Sequence, residues 1–172
     1  MSEAGVGEVK ASGVGELADR FLKACARHKI LATTAESCTG GRIIAAMTDI
    51  PGSSSMVDRG FVTYSNDAKI EMIGVQAATL DAHGAVSRET ALEMAAGALA
   101  RSHAGIALAV TGIAGPDGGS AEKPVGLVWF GVAVTGKSPV AEKRLFDNKG
   151  RDFIRRETVR TALELGIAAL GD

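Results

Sequence analysis

Three short stretches hold the side chains that can do chemistry. In TAESCTGGR, Thr34 to Arg42, a serine, a cysteine and a threonine stand directly before two glycines and an arginine. A serine leaving a strand and facing a Gly-Gly helix start has unpaired backbone N–H groups nearby, able to bind an oxyanion or a phosphate. The stretch is not the G-x-S-x-G nucleophile elbow, because Ala35 and Thr39 occupy the glycine positions. Nor is it S-x-x-K, because Gly40 stands where the lysine would be. A Ser37 that simply caps the following helix also fits the spacing.

A serine nucleophile needs a base, and TYSNDAK offers one. His28, His83 and His103 fall near expected helix ends, where imidazoles meet solvent or cap carbonyls. Lys69 is the stronger candidate. With Asn66 as N-cap, Lys69 sits in the first helical turn, where the positive end of the helix dipole disfavours an ammonium and lowers its pKa. A neutral amine takes a serine proton, and Tyr64 passes it on or holds the geometry. The plain alternative is a solvated surface lysine. The Tyr-x4-Lys spacing is one residue longer than in short-chain dehydrogenases, and no G-x-G-x-x-G accompanies it.

The third stretch, TGIAGPDGGS from Thr111 to Ser120, follows an apolar run and carries glycines at 112, 115, 118 and 119. Such a loop at the C-terminal end of a strand is where open α/β sheets bind ligands. It is not a Walker A loop, since Lys123 lies between Glu122 and Pro124. Its length exceeds the usual connection of roughly two to six residues, which favours a binding role over mere flexibility. Further on, NKGRDFIRR gathers Lys149, Arg151, Arg155 and Arg156 around a helix start, where Arg151 can grip a phosphate.

The elements that must position these stretches follow from periodicity. Leu17, Phe21 and Cys25 recur every four residues and predict an amphipathic helix over 16–28. ILATT reads as a strand, Thr39 to Met47 as a helix opening on Gly-Gly, RGFVTY as a strand, and Ala68 to Ile73 as a helix capped by Asn66. The segment from Gln76 to Ala85 reads as turn and short helix. Ser87 then caps a helix to about Arg101, with Leu92, Ala95, Ala96 and Leu99 as its expected buried face. GIALAVTG is apolar throughout, as in a strand covered on both faces. VGLVWFGVAV and PVAEKRLF, separated by TGKS, predict a hairpin with an alternating edge strand, and Ile154, Thr158, Ala162, Leu165 and Ala169 space a closing helix from Arg151 to Leu170. Helices interspersed with apolar strands imply a three-layer α/β/α sandwich on a mixed, mostly parallel sheet.

Composition narrows the function classes. The chain has 172 residues with 46% apolar content, enough for one well-buried core. Residues 1–14 read as a flexible tail and 15–172 as a single domain. A formal net charge of -1 supplies no chain-wide basic field, so no nucleic-acid partner is expected. Cys25 and Cys38 lack C-x-x-C spacing or a His-x-x-x-His partner, which argues against a disulfide framework and structural zinc and for reduced, cytoplasmic thiols. No window reaches the roughly 18 to 20 consecutive apolar residues of a membrane span. The 22 glycines exceed the usual share and are expected in functional loops.

TAESCTGGR, DIPGSSS, RGFVTYSNDAK, HGAVS and AVTGIAGPDGGSAEKPVG, in this order, resemble the CinA C-terminal domain family, the nicotinamide-nucleotide amidohydrolases. The resemblance spans nearly everything from Glu16 onward. It implies hydrolysis of nicotinamide mononucleotide to nicotinate mononucleotide and ammonia, without metal or other cofactor, by a serine working with a tyrosine and a lysine. Those roles fall on Ser37, Tyr64 and Lys69. Expected substrate contacts are Thr39, Gly40, Gly41, Arg42, Asn66, Thr111, Gly112, Gly115 and Arg151, with the oxyanion held by N–H groups of Thr39 to Gly41. Larger family members carry a separate N-terminal hydrolase domain resembling molybdopterin-binding proteins, for which this chain has no room, so its pyrophosphatase activity is not expected. The alternatives are a non-catalytic pyridine-nucleotide-binding module and an inactive competence-associated paralogue. A homodimer is the expected assembly.

Overall fold

A computed structural model describes residues 13–172, so all but the end of the expected flexible tail lies outside the described residues. Five strands form one sheet in the order β2-β1-β3-β4-β5: β1 Ala32–Glu36, β2 Val57–Val62, β3 Ile106–Gly112, β4 Leu127–Val134 and β5 Val140–Leu145. Both β2 and β3 run parallel to β1, while β4 is antiparallel to β3 and to β5, so β4 alone runs against the others. The helices are α1 Val14–His28, α2 Arg42–Thr48, α3 Asn66–Ile73, α4 Ala77–His83, α5 Arg88–Ala100 and α6 Arg151–Leu170, with one 3-10 turn at Ser53–Ser55. None of the described helices is long and apolar enough to cross a membrane.

The two faces of the sheet are built from different residues. Along β3, Ile106, Leu108 and Val110 join Phe21, Ile43, Ile154 and Leu163 in a large core beneath α1, α2 and α6. The alternate residues, Ala107 and Ala109, pack with Ile73, Met94, Ala95 and Ala98 under α3 and α5. Period-two alternation thus puts bulky side chains on one face and alanines on the other. The three layers agree with the architecture read from the sequence.

The small face corrects two expectations. On α5 the buried positions are Thr90, Ala91, Met94, Ala95 and Ala98, one step round from the expected Leu92, Ala95, Ala96 and Leu99. The alanine stripe faces the sheet because the sheet there is itself small, and the helix comes close: a Cβ on Gly131 would lie 2.2 Å from the Ala91 carbonyl oxygen. Likewise a Cβ on Gly97 would lie 1.9 Å from the Ile73 carbonyl oxygen, at the α3–α5 contact. Part of the glycine excess therefore serves close packing in the core rather than functional loops.

Most other boundaries fall within two residues of the expected ones, and α6 and the β4–β5 hairpin fall where the periodicity puts them. The loops following β1, β2, β3 and β5 all open at one end of the sheet, because those four strands point the same way. That end is the ligand-binding edge of an open α/β sheet. All three chemical stretches converge there.

Candidate active site

Ser37 directly follows β1, and its backbone N–H is fixed by the Val110 carbonyl of β3 at 3.1 Å. The hydroxyl does not cap α2. Ser37 Oγ lies 3.1 Å from Lys69 Nζ, and the serine is 9% exposed. Lys69 is 1% exposed and is delivered by α3, whose N-cap is Ser65 rather than Asn66: the Ser65 hydroxyl accepts from the Ala68 N–H at 3.0 Å. The ammonium position is shared with two further oxygens, the Thr63 carbonyl at 2.9 Å and the Tyr64 carbonyl at 3.4 Å. All three partners are neutral, and burial pushes the Lys69 pKa below its ordinary 10.5.

The residue that anchors this region, Glu36, is not among the expected site residues. Glu36, the last residue of β1, is fully buried. Its carboxylate accepts from the Thr39 hydroxyl at 2.5 Å and from the backbone N–H groups of Gly41, Ile43 and Ile44 at 3.1, 3.0 and 2.8 Å. A carboxylate satisfied by four donors at a helix N-terminus is favourable on both hydrogen-bond and dipole grounds. The Glu36 signal in the sequence is a glutamate at a strand end before a Gly-Gly turn.

Glu36 also redistributes the expected oxyanion donors. Gly41 is committed to the carboxylate, and Gly40 donates to the Ser37 carbonyl at 3.0 Å. The Thr39 hydroxyl is spent on Glu36, and the glycines form a turn before α2 rather than its first turn. Gly40 and Gly41 have φ of 58° and 101°, so the turn requires glycine. From Ser37 to Ile44, among the described residues, the N–H groups of Cys38 and Thr39 are the ones with no protein partner.

Tyr64 is 59% exposed and its hydroxyl accepts from Arg151 at 3.3 Å, not from Ser37 or Lys69. Arg151, at the first position of α6, also donates to the Gly115 carbonyl at 2.8 Å and so ties the glycine-rich loop to the site. A cavity of about 710 Å³ opens along that loop, lined by Asp117, Gly118, Gly119, Ser120 and Asn148 among others. Thr111 is buried and donates to the Ala85 carbonyl at 2.7 Å, which anchors the start of the loop. Gly112 ends β3, and Asn66 is exposed on the first turn of α3. Arg42 pairs with Asp152 at 2.9 Å. Arg155, which the sequence reading left in the basic run, donates from Nε to the Cys38 carbonyl and from a terminal nitrogen to the Thr39 carbonyl, both at 3.0 Å.

Cys38, the thiol next to Ser37 in the chain, is buried in the large core. Burial pushes its thiol pKa up to about 12, which leaves essentially no thiolate at neutral pH. Cys25, on α1, is likewise a buried free thiol, raised by burial to about 12.

The fold and the buried Ser–Lys pair at the crest of its sheet define a class: an α/β protein equipped for nucleophilic chemistry. The profile of the CinA C-terminal domain matches residues 15–170, and the chain belongs to that family. It is 48% identical over 149 residues to the nicotinamide-nucleotide amidohydrolase PncC of Escherichia coli K12, covering 87% of this chain and 90% of that protein. The protein of the same name from Enterobacter agglomerans is 51% identical over 135 residues, covering 78% and 82%. Among solved structures, the competence/damage inducible protein CihA of Agrobacterium tumefaciens superposes with a TM-score of 0.90 at 51% identity, covering 96% of this chain and all of that one.

Proposed function

We propose that the protein is an amidohydrolase that converts nicotinamide mononucleotide to nicotinate mononucleotide and ammonia, with Ser37 as nucleophile and Lys69 as its base. The observation that carries the mechanism is the set of neighbours around Lys69 Nζ: two carbonyls, which only accept, and one hydroxyl, which can also donate. A neutral amine gives its two N–H groups to Thr63 and Tyr64 and turns its lone pair to the Ser37 O–H. That is the ground state of a general base poised on its nucleophile.

The reaction follows from that arrangement. Ser37 Oγ attacks the carboxamide carbon as its proton passes to Lys69. The tetrahedral intermediate collapses with cleavage of the C–N bond, and the Lys69 ammonium returns the proton to the departing nitrogen, which leaves as ammonia. Water, deprotonated by Lys69, then hydrolyses the nicotinoyl ester and regenerates the serine. Tyr64 serves through its carbonyl, which holds Lys69, and through its exposed ring beside Arg151. Arg151 and the loop after β3 bind the ribose phosphate.

The names and identities of the PncC relatives support the substrate. A reducing, cytoplasmic setting agrees with two buried free thiols, and a homodimer is the assembly to test by sedimentation. Incubation with nicotinamide mononucleotide, followed by ammonia and nucleotide analysis, tests the proposal. Equal amounts of ammonia and nicotinate mononucleotide are expected, whereas tight binding without ammonia would make the protein a nucleotide-binding module.

A further inference from the structure

We propose that Arg155 is a positioning residue that aims the oxyanion-binding N–H groups of Cys38 and Thr39. The inference rests on the Ser37 mechanism above and adds the element it lacks, a rigid pair of donors beside the nucleophile.

In a trans peptide the C=O and the next residue's N–H point in opposite directions, so fixing one aims the other. The Cys38 N–H shares its plane with the Ser37 carbonyl, which accepts from Gly40 N at 3.0 Å. The Thr39 N–H shares its plane with the Cys38 carbonyl, which accepts from Arg155 Nε at 3.0 Å. One donor is therefore aimed by the turn itself and the other by a side chain 117 residues further along the chain.

The next plane closes the frame. The Thr39 carbonyl accepts from the second arm of Arg155 at 3.0 Å and from Arg42 N at 3.2 Å, while its partner N–H, that of Gly40, completes the turn to Ser37. A guanidinium spans two successive carbonyls with a rigid fork, which a lysine ammonium cannot reproduce. The fit is close: a Cβ on Gly40 would lie 3.4 Å from the Arg155 terminal nitrogen. From the other side, Glu36 holds the Thr39 hydroxyl and the Gly41 N–H. The turn is held by both the Glu36 carboxylate and the Arg155 guanidinium, which leaves the N–H groups of Cys38 and Thr39, the two that follow Ser37 in the chain, without a protein partner.

Arg155 also acts electrostatically. Its hydrogen-bond partners are neutral carbonyls, so no carboxylate cancels its charge at this point. A carbonyl accepting from a cation polarises its peptide and strengthens the donor on the far side. Both effects matter only when negative charge develops on the substrate oxygen, so they fall on the transition state.

The test compares Arg155→Ala and Arg155→Lys with wild type in ammonia release from nicotinamide mononucleotide, with melting temperature recorded for each. Both variants are expected to lose roughly 100- to 1,000-fold in kcat, the usual loss on disabling one oxyanion donor, with KM changed less than threefold. Added guanidinium should restore part of the lost kcat in Arg155→Ala and none in wild type. A kcat within threefold of wild type, or a raised KM at unchanged kcat, would overturn the proposal. If Arg155→Ala does not fold, Arg155→Lys decides by the same criteria. Covalent labelling of Ser37 by a fluorophosphonate, followed by intact mass, separates this inference from the substrate assignment. A wild type that labels but releases no ammonia contradicts only the substrate, and slower labelling of the variants still supports the positioning role; equal labelling rates would sink it.

Discussion

Lys69 Nζ stands 3.1 Å from Ser37 Oγ with no charged group among its hydrogen-bond partners, so burial lowers its pKa with no carboxylate to hold the proton. Activity should therefore rise with pH through a Lys69 pKa lying below 10.5, since the protonated amine cannot accept the serine proton. Lys69→Met should lose roughly 100- to 10,000-fold in kcat and lose this acid limb. The stability sign is fixed by the same shift. With the folded pKa lowered, the unfolded chain binds the extra proton between that pKa and 10.5, so the wild type gains stability as pH rises through the window. The Met variant lacks this dependence, so its stability advantage should be largest at the acid end and shrink toward alkaline pH. Urea unfolding of both proteins across the neutral to alkaline range measures it.

Cys38 is adjacent to the nucleophile but faces the core, and its thiol is pushed up to about 12 by burial. Cys38→Ala should keep kcat within a few-fold of wild type at the cost of some melting temperature from the lost packing. Iodoacetamide at neutral pH should leave activity intact. Rapid inactivation with alkylation mapped to Cys38 would reopen the choice of nucleophile.

Glu36 satisfies four donors from a fully buried position, so Glu36→Gln brings an amide donor into a cluster of donors. A loss of about 3 kcal/mol or more is expected, in the range for disrupting a buried charged hydrogen-bond network. Denaturant titration checks it. Activity should fall as well, because the Ser37–Gly41 turn rests on this carboxylate.

Arg151 uses two of its donors on the Gly115 carbonyl and the Tyr64 hydroxyl, leaving others for an anion. Arg151→Ala should weaken substrate binding by about 2 to 3 kcal/mol, read as a raised KM. Free nicotinamide, lacking the phosphate, should be a poor substrate for wild type and little affected by the substitution. Equal hydrolysis of nicotinamide and its mononucleotide would remove the phosphate from the recognition scheme.

The fold was largely legible because its elements follow periodicity: α6 and the β4–β5 hairpin announce themselves in residue spacing. The α5 face departs from the expected one because hydrophobicity ranks leucine above alanine, while the sheet beneath it accepts only small residues. Within the site, the Ser37–Lys69 pairing is legible from residue types, although the helix carrying Lys69 is capped by Ser65 rather than Asn66. Glu36 and Arg155 are not legible in that way, since their partners are mostly backbone groups and one contact spans 117 residues of chain. A side chain that works by holding main-chain atoms leaves no spacing motif.

The most direct test is the quantitative release of ammonia and nicotinate mononucleotide from nicotinamide mononucleotide by wild type and by Ser37→Ala, at matched fold and concentration. Wild type should give stoichiometric products, and Ser37→Ala should give a folded protein that still binds the nucleotide but releases neither product. Full turnover by Ser37→Ala would contradict the assignment of Ser37 as nucleophile.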